Sequence, residues 1–157
     1  MKILVISDSH GNIVNLKLAL GFARKINAEA IIHCGDWDNL RAVEEVLQSK
    51  IPVYGVLGNA DIHQEIAKKL KLKAKKFDKN FLKVKLGGKR IGVTHNLVLS
   101  YKLLFISYDV IFCGHRHFKS ERTINGIKIV SPGALHSSKP SFVVYDTDTN
   151  GVEFFDL

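Results

Sequence analysis

Short apolar runs, each closed by a polar or glycine-containing turn, recur along this chain. Ile3-Leu4-Val5-Ile6, Ala30-Ile31-Ile32, Val53 to Leu57 and Val110-Ile111-Phe112 read as strands covered on both faces. Helical spacing fills the intervals between the first three. Asn12 can cap a helix whose apolar face is Ile13, Leu16, Leu20, Ala23 and Ile26. Asn39 or Asp38 caps a second, with Leu40, Val43, Val46 and Leu47 inward, and Asp61 opens a lysine-rich third that fades near Lys73. At Phe81 the rhythm changes. Phe81 to Leu86 alternates, Gly87-Gly88 turns, and Lys89 to Thr94 returns as a hairpin partner. Leu97 to Ser107 has helical spacing, and Asp109 to Cys113 is another strand. Asn125-Gly126 joins Ser120–Ile124 to Ile127–Val130, and Asn150-Gly151 pairs Ser141 to Asp146 with Val152 to Phe155. The order is βαβαβ followed by a meander-rich half, which predicts an α/β fold: a two-sheet β-sandwich flanked by helices.

At 157 residues the chain fits one domain spanning 1–157. Its 46% apolar and 9% aromatic residues exclude disorder. There is no basic-then-apolar leader and no apolar run near the ~18 residues a bilayer requires, so a cytoplasmic protein with no membrane partner is expected. Cys34 and Cys113, each ending a strand, read as reduced core residues rather than a disulfide. The net charge of +8 is localised: eleven of the 23 cations lie between Lys68 and Arg90, against the single acid Asp78. That stretch is either a solvated face guarding a sheet edge or an attractor of polyanions, nucleic acid included. Only Phe77 and Phe81 interleave with it, too few for a base-stacking rhythm.

The chemistry collects where strands end. Asp8-Ser9-His10, Gly35-Asp36, Gly58-Asn59, Thr94-His95 and Gly114-His115-Arg116-His117 each follow an apolar run. In an open α/β sheet, ligands bind beyond the carboxyl ends of the strands. Asp8 and His10, two apart in an extended turn, both reach one ion while Ser9 points away; His115 and His117 share that spacing. Asp36 has two anionic oxygens and a central place, which suits a bridge between two cations. Asn59 offers a neutral oxygen and His95 a ring nitrogen. This oxygen and imidazole set suits Mn, Ni, Fe, Co or Zn rather than Mg or Ca. Two such divalent ions share a water, supply metal-bound hydroxide and stabilise in-line displacement at phosphorus. The pattern therefore points to phosphoester hydrolysis, with Asp36, Asn59 and His95 central to it.

With these motifs the chain resembles the calcineurin-like metallophosphoesterases, and among them the small YfcE-type phosphodiesterases. The likeness runs from Asp8-Ser9-His10 through Ser131-Pro132-Gly133-Ala134 to the strand at Ser141-Phe142-Val143-Val144. The resemblance implies a four-layer αββα sandwich. It also implies one metal held by Asp8, His10, Asp36 and His117, and a second by Asp36, Asn59, His95 and His115. Three positions depart from the family pattern. Ala60 stands where larger members place a proton-donating histidine, a loss worth ~10²–10⁴ in rate, and His63 is a weaker substitute. Asn96 replaces an expected glycine, which asparagine's tolerance of left-handed angles would permit. Arg116 replaces a threonine and would alter the hydrogen bonds around the ligands or add a phosphate-facing cation.

The remaining histidines read as sheet packing (His33), helix surface (His63) and a loop position open to substrate (His136). Asp61 either orients a neighbouring group or caps the helix that follows. Val98, Leu99, Leu103, Leu104 and Phe105 are core or a homo-oligomer interface. A small phosphoester is the expected substrate. The alternatives are a non-catalytic scaffold on the same fold, as in the retromer subunit, and a nuclease using the lysine-rich segment.

Overall fold

A computed structural model of the chain describes residues 1–98 and 107–157. Along it run β1 (Lys2–Ile6), α1 (Ile13–Lys25), β2 (Ala30–His33), α2 (Leu40–Gln48), β3 (Val53–Gly55) and α3 (Gln64–Lys73). Then come β4 (Lys76–Phe77), β5 (Phe81–Leu86), β6 (Lys89–Thr94), β7 (Val110–Cys113), β8 (Lys119–Ile124), β9 (Ile127–Pro132), β10 (Ser141–Asp146) and β11 (Gly151–Asp156). They form two mixed sheets, ordered β11-β10-β1-β2-β3-β4 and β5-β6-β7-β9-β8.

Side-chain alternation sorts the core into layers. Leu4, Ile6 and Ile31 face the helices, meeting Leu16, Leu20 and Ala23 of α1, Val43 and Val46 of α2, and Ile66 and Leu70 of α3. Ile3, Val5, Ala30 and Ile32 face the second sheet, meeting Ile91, Val93, Val110, Phe112 and Val130. Each of these Ile, Val and Leu side chains contributes roughly 1.5–3 kcal/mol by leaving water. On the far side of the second sheet Tyr108, Ile111, Cys113, Ile127 and Ile129 form a smaller cluster with Leu97 at its margin. The helix expected over Leu97 to Ser107 falls largely on residues 99–106, outside the described residues, as do Leu99, Leu103, Leu104 and Phe105. Val98 is exposed.

Several elements differ from the pattern-based expectation. β3 stops at Gly55 because the Leu57 N–H turns away to the Lys79 carbonyl (3.2 Å). α3 begins at Gln64, not Asp61, because the Asp61 carboxylate is engaged elsewhere. β4 is a two-residue strand beside β3, too short for any periodicity to reveal. β9 lies parallel to β7 while β8 takes the sheet edge, so the second half is not a simple meander. β10 and β11 join the first sheet, β10 lying antiparallel to β1 with Lys2 opposite Asp146. Among the described residues no helix is long and apolar enough to cross a membrane.

Candidate metal centre

The loops leaving β1, β2, β3, β6 and β7 meet at one end of the sandwich. Their backbones interlock: Asp8 N–H donates to Gly35 O (3.0 Å), His10 N–H to Asp36 O (3.1 Å) and Gly114 N–H to His95 O (3.0 Å). The Asp8 carboxylate accepts the His115 N–H at 3.2 Å and 3.3 Å, tying the two sheets together. Asp8, His10, Asp36, His115 and His117 all have positive φ, between 40° and 71°. Such angles cost a non-glycine residue of order 1–3 kcal/mol and persist only where surrounding structure enforces them. Two glycines make room. A Cβ on Gly58 would run into Asp36, and one on Gly114 would meet Ser7 Oγ and Asp8 Oδ2.

The left-handed backbone corrects the extended-turn reading of Asp8-Ser9-His10 and of the His115–His117 pair. Ser9 is fully buried, its Oγ 3.1 Å from His33 Nε2. His115 and His117 do not share a side. His117 Nε2 lies 3.1 Å from Asp8 Oδ1, whereas the His115 ring sits 5.1 Å from that of His95. Asp8, His10, Asp36 and His117 bring their ligand atoms within 4.8 Å of one another. Asp36 stands between the two groups. Its Oδ1 accepts the Ala60 N–H (2.8 Å), which leaves Oδ2 at 3.3 Å from His10 Nε2 and 3.4 Å from His95 Nε2.

The donor chemistry fits divalent cations. His95 Nδ1 faces the Cys34 carbonyl at 2.9 Å, and a carbonyl only accepts, so Nδ1 holds the proton. A neutral ring then presents the lone pair of Nε2, which lies 3.0 Å from Asn59 Oδ1. Three acceptor atoms thus converge: Nε2 of His95, Oδ1 of Asn59 and Oδ2 of Asp36. A bound cation satisfies all three, and the carbonyl behind the ring fixes its tautomer and orientation. On the other side His10 Nε2 is buried with no hydrogen-bond partner among the described residues, a costly state that metal ligation would relieve.

Around the candidate ligands, some residues stand where the sequence pattern predicts and others do not. His33 packs in the sheet as read, stacked on Trp37 at 3.6 Å. It accepts the Gly35 N–H at Nδ1 (3.2 Å), so its Nε2–H donates to Ser9 Oγ. Burial, then the nearby His95 and His10, hold its pKa well below the ordinary value. Asp61 caps no helix. It accepts N–H groups from Asp36 (3.0 Å), Asp38 (2.8 Å) and Gly58 (2.8 Å), clamping the β2 and β3 loops to each other. Burial raises its pKa, helped by the nearby Asp36 carboxylate and opposed by the Gly58, Asp38 and Trp37 N–H groups. Its position inside Gly58-Asn59-Ala60-Asp61 was the available signal. His63 is the exposed N-cap of α3. Asn96 is not among the left-handed residues; its Oδ1 accepts the Val98 N–H instead (3.0 Å). The Arg116 guanidinium lies over the Phe118 ring at 4.8 Å. His136, expected as a loop position open to substrate, has its ring 4.2 Å from that of His10 and 4.8 Å from that of His117. Both cysteines are free and buried; burial pushes the Cys113 thiol up to about 11, which makes it inert. A cavity of about 590 Å³ opens beside Asn59, His95 and His115, with Lys79, Asn80 and Asn96 in its wall.

Two facing mixed sheets, helices on the outside and an Asp/His/Asn cluster at the strand ends define the metallophosphoesterase class of architecture. The chain belongs to the calcineurin-like phosphoesterase superfamily, whose domain profile matches residues 1–150. It is 27% identical to phosphodiesterase MJ0936 of Methanocaldococcus jannaschii, over 94% of each chain. A solved structure described as a novel archaeal phosphodiesterase superposes with a TM-score of 0.86 at 24% identity, covering 100% of both chains. Vps29 of Entamoeba histolytica, solved in complex with zinc, has a TM-score of 0.66 at 16% identity, covering 100% of this chain and 98% of that one.

Proposed function

We propose that this protein is a metal-dependent phosphoesterase that hydrolyses phosphodiesters at a centre of two divalent transition metal ions. One ion is held by Asp8, His10, Asp36 and His117, the other by Asp36, Asn59, His95 and His115. The observation that carries this reading is the position of Asp36 Oδ2, within 3.4 Å of imidazole nitrogens from both groups while Oδ1 is occupied by the backbone. One carboxylate oxygen facing two nitrogen clusters is the arrangement a bridging ligand requires. Bound there, a pair of divalent ions would supply Lewis acidity, lowering the pKa of a shared water and offsetting charge at phosphorus.

The chain's own residues do the positioning. Asp36, held by Ala60 N–H and by Asp61 through its own N–H, stays fixed between the two groups. His95, anchored on Cys34 O, keeps Nε2 directed at the cluster. Lys79, in the cavity wall, contributes positive charge for an anionic substrate. Ala60 has no proton to give, so substrates with good leaving groups are favoured. The single-domain organisation and a cytoplasmic location belong to the same proposal.

The test is hydrolysis of bis-p-nitrophenyl phosphate and p-nitrophenyl phosphate by metal-stripped protein, with Mn, Ni, Co, Zn or Mg returned. We expect turnover restored by a transition metal, faster on the diester, and reduced to background in Asp36→Ala. No turnover despite bound ions would sink the reading in favour of a non-catalytic interaction protein on the same fold. In the lysine-rich segment three side chains are already engaged: Lys69 with Glu44 (2.7 Å), Lys76 with the Lys83 carbonyl (2.7 Å) and Arg90 with Asp109 (3.4 Å). A solvated sheet edge explains it, and a weak salt dependence of DNA binding is expected.

A further inference from the structure

We propose that His136 is an additional ligand of the ion held by Asp8, His10, Asp36 and His117, a proposal that rests on the metal-centre reading above. The loop after β9 is drawn to the loop after β1 by two backbone hydrogen bonds, Leu135 N–H to Ser7 O and His136 N–H to Asp8 O, both 3.1 Å. The turn that sends it there passes through Gly133, whose φ is 85°. At its end His136 Nδ1 lies 3.0 Å from the same Asp8 carbonyl that its own N–H reaches. A carbonyl cannot donate, so Nδ1 carries the proton and Nε2 keeps a lone pair. A metal-ligating histidine with its second nitrogen on a backbone carbonyl has this arrangement.

The ring is also in the right place. It meets His10 and His117 edge-on, at interplanar angles of 65° and 85°. One ligand atom from each of the three lies within 4.8 Å of the other two, the spacing that also groups Asp8, His10, Asp36 and His117. His10 and His117 belong to both groups, and the buried His10 Nε2 has no hydrogen-bond partner among the described residues. This half of the centre would then offer three imidazoles and two carboxylates, against two imidazoles, one amide and the shared carboxylate in the other half. More nitrogen favours the later, softer divalent metals and makes the two ions unequal in affinity.

The test is a titration of the metal-stripped full chain with Co(II), followed by visible absorbance and calorimetry, in wild type, His136→Ala and Ser137→Ala. Ser137, whose hydroxyl bonds to Ala134 O in the same loop, controls for loop disturbance. We expect two ions in the wild type. In His136→Ala one of them should bind about tenfold or more weakly, with an altered visible spectrum, while metal-free stability stays unchanged. Ser137→Ala should match the wild type. His136→Ala with wild-type affinities and spectrum overturns the proposal, as does equal weakening in Ser137→Ala. Uptake of a single wild-type ion would refute the dinuclear reading alone, since the response of that ion to His136→Ala still decides the role of His136. Should the variant fail to fold, ¹⁵N spectra of wild-type histidines on Zn(II) addition decide it. The His136 Nε2 resonance must move with those of His10 and His117, and an unmoved signal overturns the proposal.

Discussion

Asp61 holds the candidate centre together without being one of its expected ligands. Three backbone N–H groups from two loops converge on its two oxygens; one donor is Asp36, the proposed bridge, and another is Gly58, which precedes Asn59. Leaving a buried N–H unsatisfied costs about 1–3 kcal/mol. Asp61→Ala is therefore expected to lower unfolding free energy by about 2–3 kcal/mol in denaturant titrations, allowing for water reaching part of the gap. It should also weaken metal binding by ~10–100-fold, as loss of a group supporting a ligand does. Asp61→Asn, with one acceptor oxygen left, should fall between. Wild-type metal affinity in Asp61→Ala would show that the loops hold their shape unaided.

At the scale of the element, the three helices of the first sheet are not equally finished. Asn12 and Asn39 cap α1 and α2, accepting N–H groups from Asn15 (3.1 Å) and Ala42 (3.0 Å). α3 has His63 at its N-cap, with a backbone extended as a cap requires but no capping hydrogen bond from its side chain among the described residues. Its charges do follow the helix dipole, with Glu65 in the first turn and Lys71 and Lys73 in the last. Asn39→Ala should cost about 1 kcal/mol, and His63→Asp should gain a comparable amount, read as opposite shifts in melting temperature. A destabilised His63→Asp would mean that His63 serves another contact. The lysines have an element-scale role as well. β4 and β5 are edge strands of the two sheets, and the exposed Lys76, Lys83 and Lys85 discourage a second chain from pairing there.

For the whole molecule, His33 links pH to stability. Buried and neutral, it has a folded pKa well below its unfolded value of about 6.5. Between those two values the unfolded chain binds more protons than the folded one, so stability rises with pH there. Its contribution is complete above about pH 6.5 and is lost as pH falls below that value. Unfolding free energies of metal-free protein should therefore drop between pH 6.5 and pH 5, and the drop should be smaller in His33→Gln. Equal slopes in both proteins would assign the effect to other groups.

How much was legible in the sequence depended on how local the cause was. Strand and helix periods, the Gly87-Gly88, Asn125-Gly126 and Asn150-Gly151 turns and the polar strand exits are set by neighbours a few residues apart, so the chain declares them on its face. β4, Asp61 and His136 act through partners that lie elsewhere in the chain, and periodicity carries no record of such pairings. The sequence by itself determined the alternation that splits Ile3 and Val5 from Leu4 and Ile6, and with it the two buried faces of β1. It also put Asp8, Asp36, Asn59, His95, His115 and His117 at strand ends. Only the tertiary structure decided that β10 returns to pair with β1, that Asp61 clamps the β2 and β3 loops together, and that the loop after β9 delivers His136 to Asp8. Those outcomes depend on sheet register and on left-handed backbone angles that packing enforces against local preference.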